Sequence, residues 1–351
     1  MARKLRIEFD GAWYHIVATG FQDESIFMDR SDREMMFETL GEACGRTGWQ
    51  VHAWVLMDNH FHFILHTPKA NLVVGMQWFM NTYTQRFNSR HKRSGRLFGD
   101  RYKSLPIETP EFAGEPEYLR SALWLVHLYP VHARLVPRSK DGEWRFEKYS
   151  WNSLLQSYSA PPNNRPPWAR VEMAMGLEQV ADTALGRKKF LQEATRRANE
   201  WMLEARRREG LGLDVAPKSR GWFRGGKSFR QLLMKKLEKK SAQPIRKARS
   251  KPKAKDFILQ RAEELIRLGF ECFEWDETAM RKAKGVEPRR LLVAEAIWKQ
   301  TTISQAWIAQ RLGMKSAGNV SQQLRGGTER AKGLIDSRQL RKWQKLSKVN
   351  T

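Results

Sequence analysis

Cysteine is almost absent from this sequence. Cys44 and Cys272 are the only two, far apart in the chain, so no disulfide framework and no CxxC metal knuckle can be built from them. Long apolar runs are missing too. No stretch approaches the ~18 residues of a membrane span. The basic start, MARKLRIEFDGAWYHIV, contains no apolar run of signal length. The chain therefore reads as soluble and intracellular. The third shortage is negative charge: 38 Asp and Glu face 63 Lys and Arg, a formal net charge of +25. Such an excess calls for a polyanionic partner, most simply nucleic acid. A basic membrane-surface protein would instead need an amphipathic basic helix or a lipidation signal.

What is present is enough for sizeable cores. The 351 residues are 41% apolar, which suits about two domains at ~150 residues each. GAWYHIVATG, from Gly11 to Gly20, is rich in strand formers between glycines. Ser31 to Thr47 has helical apolar spacing, with Ser31 as an N-cap and Glu34 as its capping-box partner. Val51–Met57 reads as a strand, Asp58-Asn59 as a turn, and His60–Thr67 as the hairpin partner. Asn71–His91 is a helix whose Leu72, Met76, Phe79, Met80, Tyr83 and Phe87 share one face. A further helix from about Glu115 to Tyr129 should stop at Pro130. Strands and helices mixed with short links favour an antiparallel sheet carrying helices, an α+β fold.

Proline and asparagine density in SAPPNNRPP, 159–167, marks a linker or exposed loop. The run from Lys235 to Lys255 holds ten Lys or Arg against Glu238 alone; it reads as a solvated tether or a non-specific phosphate contact. Three segments follow: residues 1–158, an accessory and linker region 159–255, and a helical region 256–345. In the last, Ile308, Ala309 and Leu312 form a stripe, Gly313 breaks the helix, and Ser316 can cap a second one bearing Val320 and Leu324. That spacing is helix-turn-helix-like. Ser316, Asn319, Gln322, Gln323 and Arg325 would then face a groove; a plain helical hairpin is the alternative.

The stretch MDNHFHFILHTP carries the sharpest signal. On a strand His60 and His62 project from one face ~6.6 Å apart, a spacing that suits one divalent ion given a third ligand. Buried, hydrogen-bonded histidines of an ordinary strand fit the same pattern. His66 shares the parity but lies ~13 Å from His62. Phe61 and Phe63, on the other face, should pack on a helix. Downstream, Arg86, Arg90, Lys92, Arg93, Arg96, Arg101 and Lys103 are candidates for DNA phosphates, with Asp100 the one acid within the run. Phe98 and Tyr102 interleave and are candidates to stack on unpaired bases, or else are core aromatics.

In GAWYHIVATG, WVLMDNHFHFILHTP, NTYTQRFNSRHKRSGRLFGDRYKS, YLRSALWLVHLYPVHARLV and YSWNSL, the chain resembles the IS200-like single-tyrosine transposases of the HUH type and their REP-associated relatives. The resemblance spans Arg3 to Leu155. It implies a ferredoxin-like α+β domain in which His60 and His62 hold Mg²⁺ or Mn²⁺. A helix-borne tyrosine would attack single-stranded or hairpin DNA, leaving a 5′-phosphotyrosine link and a free 3′-hydroxyl. It further implies DNA transposition, a bacterial cytoplasmic setting and room for a homodimer, with no membrane partner. The family's helix reads Tyr-x-x-x-Asn-Pro-Val-Arg-Ala; here the matching stretch is Leu125-Val126-His127-Leu128-Tyr129-Pro130-Val131-His132-Ala133. Leu125 stands at the nucleophile's place and Tyr129 at the third ligand's. Three readings follow: a DNA-binding protein with lost or impaired cleavage, or a nucleophile relocated to Tyr129 or to Tyr118. Tyr83 reads as structural, and His127 should face away from the pair.

Overall fold

The computed structural model describes residues 6–99, 101–110, 116–210, 222–241, 252–282, 286–326 and 328–347. They fall into two compact units, residues 1–44 with 48–245, and residues 45–47 with 246–351. No described helix is long and apolar enough to cross a membrane.

The first unit begins as β1 (Ala12–Thr19), α1 (Arg30–Thr47), β2 (Gln50–Leu56), β3 (His60–Thr67), α2 (Leu72–Arg90) and β4 (Lys103–Ile107). Its sheet order is β2-β3-β1-β4, with every neighbour antiparallel. This is the ferredoxin-like βαββαβ arrangement. The period-2 alternation decides which face each residue occupies. Tyr14, Ile16, Trp54, Phe61, Phe63 and Leu65 pack with Leu40 of α1 and with Met76, Phe79 and Tyr83 of α2. Phe61 and Phe63 meet Phe79 with ring centroids 5.9 and 6.0 Å apart. Burying each such ring contributes roughly 1.5–3 kcal/mol.

The opposite face carries Trp13, Val55, Ile64 and Ile107. It is covered by α3 (Pro116–His127), with the short α4 (Tyr129–His132), α5 (Glu172–Leu177) and the long α6 (Ala184–Gly210) following. The helix expected to run to Tyr129 ends at His127. Pro130 does not terminate it; it sits in the first turn of α4, where a missing N–H costs nothing.

Two other expectations are corrected. The cap of α1 is Asp29, not Ser31: the Asp29 side chain accepts from the Asp32 N–H, and the helix starts two residues earlier than a Ser31 cap would place it. The helix closes on Gly48 at φ 72°, a left-handed conformation that glycine adopts without strain. The proline-rich stretch 159–167 is an exposed loop, yet the chain beyond it returns to the sheet. Trp168 packs edge-on against Trp54 at 4.9 Å, the Arg170 N–H donates to Val51 O, and Phe190 of α6 is buried. Accessory residues after 158 therefore build the first unit's core. α7 (Lys227–Ser241) adds Phe229 and Leu233 to the other side. Of the Lys235–Lys255 run, residues 242–251 lie outside the described residues.

The second unit is helical where described: α8 (Pro252–Phe273), α9 (Glu277–Lys282), α10 (Pro288–Gln300), α11 (Gln305–Arg311), α12 (Ala317–Gly326), α13 (Thr328–Gly333) and α14 (Ser337–Leu346). α10 packs against α8, α12 and α13, and α11 against α12. The turn between α11 and α12 holds Gly313 at φ 65°, and Ser316 Oγ accepts from the Asn319 N–H. Ile308, Leu312 and Val320 are fully buried, while Gln322 and Arg325 are exposed.

Candidate metal centre

His60 and His62 project from β3 onto the α3-side face, ring centroids 5.1 Å apart. Each ring has one nitrogen engaged and one unpartnered. His60 Nδ1 meets Asn59 Oδ1 at 2.7 Å, so Nδ1 carries the proton and donates. His62 Nδ1 meets His15 Nε2 at 2.9 Å. The Nε2 atoms of both His60 and His62 are buried without a hydrogen-bond partner. A ring nitrogen anchored by its neighbour, leaving the other's lone pair free, is how metal-binding histidines are oriented. For His62 this requires Nδ1–H to donate to His15 Nε2.

Burial sets the charge state. It pushes His15 down to about 3 and His62 well below the ordinary histidine value, where His15 and His60 add to the effect. It also lowers His60. All three are neutral imidazoles near pH 7, the form a cation needs. Among the described residues no group of three His, Cys, Asp or Glu side chains gathers to hold an ion. The two Nε2 atoms thus fit a divalent ion only if oxygen ligands from water or phosphate complete the shell. A hard ion such as Mg²⁺ or Mn²⁺ prefers those oxygens in any case.

Tyr129 is the tyrosine packed on this pair. Its ring lies 4.2 Å from His62 and 5.4 Å from His60, centroid to centroid. Burial raises its phenol above the ordinary value. The hydroxyls of Tyr14, Tyr83, Tyr149 and Tyr158 donate to backbone carbonyls. Tyr102 is buried beneath the Arg6 guanidinium, 3.6 Å from its ring centroid. That leaves Tyr118 and Tyr129. Tyr118 stands near Gly226, and ~13 Å of helix separate it from the end of α3. Leu125 is half-buried on α3. His66 is spent on Gln50 Oε1 at 2.9 Å. His127 is buried, with Nδ1 2.9 Å from Ser153 Oγ.

The basic candidates divide into two sets. Arg86 bonds Glu42 and Thr39. Arg90 bonds Asp29 and the fully buried Asp32. Arg93 makes an exposed pair with Glu24. The run is thus balanced by acids distant in sequence, which its local composition hid; Asp100 lies outside the described residues. Lys92, Arg96, Arg101 and Lys103 remain exposed. Arg96, Arg101 and Lys103 border a groove of about 400 Å³ beside β1, with Asp23 on its rim. Phe98 and Tyr102 are 8% and 7% exposed and belong to the core, so they are not free to stack on bases.

Two contributors were beyond sequence reasoning. His15 reaches the site only through the β1–β3 register. Arg224 is held to β4 by its N–H on Pro106 O and its carbonyl under the Glu108 N–H. It bridges to Ile107, which faces the histidine side. Its Nε is buried without a partner, and its charge is felt at both His15 and His62.

A ferredoxin-like sheet presenting paired, anchored histidines beside a tyrosine defines an α+β domain with a candidate phosphate-and-metal face. Residues 8–121 match the family described as "Transposase IS200 like". Among solved structures, a REP-associated tyrosine transposase bound to a REP hairpin matches at 13% identity with a TM-score of 0.34. The match covers 44% of this chain and 82% of that one. No curated protein matches the sequence.

Proposed function

We propose that the first unit binds single-stranded or hairpin DNA as a transposase-type protein, with a divalent ion, Mg²⁺ or Mn²⁺, held by His60 and His62. The observation that carries this reading is the pair of buried, unpartnered Nε2 atoms side by side on β3. When bound there, the ion would polarise a phosphate oxygen. His15 and Asn59 orient the two ligands, and Arg224 adds positive charge beside them. The DNA strand runs over Lys92, Arg96, Arg101 and Lys103, whose charge needs no internal partner to be displaced.

Strand cleavage in this reading is reduced. Leu125 offers no nucleophilic atom. Tyr129 would have to form the Tyr–O–P bond, lose its phenol proton and release the 3′-oxygen as a hydroxyl. Burial opposes the phenolate it would need. A non-catalytic DNA-binding regulator is the second reading, favoured by Leu125. The α11–α12 pair would supply a second DNA contact through Ser316, Asn319, Gln322, Gln323 and Arg325. The two units and the accessory residues 159–255 would then act on one DNA molecule.

The test is a hairpin-bearing single strand incubated with the full chain and Mn²⁺, read by binding and by denaturing gel for a covalent adduct. Salt-sensitive binding with slow or absent adduct is expected. An adduct forming rapidly would overturn the impaired reading, and absence of any DNA binding would overturn the whole proposal.

A further inference from the structure

A second pocket lies in the first unit, where α4 and the turn after it meet α6. Its volume is about 300 Å³, and its walls include Trp144, Trp201, Met202, Arg134, Arg138 and Arg206, with no carboxylate among the lining residues. That volume is at the small end of ligand pockets, ~300–1,000 Å³, and suits one nucleotide rather than a run of them.

Both indoles are held in place. Trp144 Nε1 donates to Asn199 Oδ1 at 3.0 Å, and the Arg138 guanidinium sits 5.4 Å from its ring centroid. Arg138 is in turn fixed by Nε donating to Gly142 O at 2.6 Å. Trp201 rests on His132, ring centroids 4.7 Å apart. Both Trp side chains stay partly exposed, and Arg134, Arg138 and Arg206 are exposed. A half-open aromatic wall offers a surface for stacking, and the guanidiniums of Arg138 and Arg206 offer planar donors for phosphate. An apolar ligand would leave the exposed guanidiniums of Arg138 and Arg206 unused; a bare anion would leave two indoles unused. A nucleotide uses both.

The pocket and the histidine site share one short helix. Val131, at its wall, and Tyr129, against His62, lie on the same four-residue helix.

We propose that this pocket binds one unpaired nucleotide of a DNA strand, its base stacked on Trp201 or Trp144 and its phosphate on the flanking arginines. The proposal rests on the reading of the chain as a DNA-binding protein and names a contact that reading does not contain.

The experiment compares the full chain's affinity for a blunt DNA hairpin and for the same hairpin with a single-stranded extension, by fluorescence anisotropy in EDTA. The extension should tighten binding. Trp201→Ala should remove that gain, about tenfold for one stacked base, with Trp201→Phe retaining most of it and the blunt hairpin unaffected. Arg206→Glu, a change at an exposed position, should weaken the extended hairpin selectively even if Trp201→Ala misfolds. His60→Ala should leave the gain intact. The proposal is overturned if the extension adds nothing while the blunt hairpin binds. It is also overturned if Trp201→Ala and Arg206→Glu both retain the full gain, or if they lose both hairpins equally. Loss of a free mononucleotide alone in Trp201→Ala, with the extended hairpin untouched, would overturn it too. If neither hairpin binds the unaltered chain, it is the DNA reading itself that fails.

Discussion

His15 Nε2 lies 2.9 Å from His62 Nδ1 across the β1–β3 ladder. This contact fixes which nitrogen of His62 points outward. Replacing His15 by Phe keeps the volume and removes the anchor. Mn²⁺ affinity should fall ~10–100-fold, the usual cost of losing such a partner. Titration of Mn²⁺ by electron paramagnetic resonance or calorimetry reads this directly; unchanged affinity would show that His62 is oriented by something else.

If any adduct with DNA is detected, Tyr129→Phe should abolish it and Tyr118→Phe should not, because Tyr129 packs on both histidines and Tyr118 stands by Gly226. Mass spectrometry of the linked peptide decides between them. An adduct on Tyr118 would require α3 to move.

The basic residues should separate by role. Lys103→Ala or Arg96→Ala should weaken DNA binding and lower the slope of log affinity against log salt by about 1 each. Arg90→Ala should instead lower stability, since it strips a buried carboxylate, Asp32, of a partner at 2.6 Å. A lower urea midpoint with an unchanged slope is expected. An Arg90 variant as stable as the parent would mean that Met28 N–H and His91 satisfy Asp32 without it.

Acid should destabilise the first unit early. Burial takes His52 and His127 down to about 3, against ~6.5 in an unfolded chain. The folded state keeps both neutral. The stability they contribute is full above pH ~6.5 and is lost as pH falls from there toward 3. Both ring nitrogens of His52 are buried without partners, so His52→Leu should cost little at pH 7 and flatten this dependence. Melting temperatures at pH 7, 5.5 and 4.5 check both halves of the statement.

The sequence made the sheet and the paired histidines legible because both rest on period-2 alternation, which is local. Tyr129's nearness to the pair followed from its helical offset from Leu125. What stayed hidden was set by register and long-range packing. His15 is 47 positions from His62, and Arg224 arrives along β4 from far downstream. Arg86 and Arg90 looked free because Glu42, Asp29 and Asp32 lie on another helix's turns. Phe98 and Tyr102 read as stacking candidates because a basic run surrounds them, although the core claims both. Cap choice failed for a smaller reason: Asp29 and Ser31 are both competent caps, and only backbone geometry selects between them.

The outer edge of β2 also has a consequence for assembly. Its outward groups are already spoken for within one chain: the Leu56 N–H by Trp151 O, Val51 O by the Arg170 N–H, and Trp54 N–H and O by Ser153 Oγ. An edge strand usually invites a stranger. Here the invitation has been answered from inside, by residues that the sequence placed at a boundary. Two copies of this chain cannot merge their sheets along this stretch of β2 without first displacing those residues.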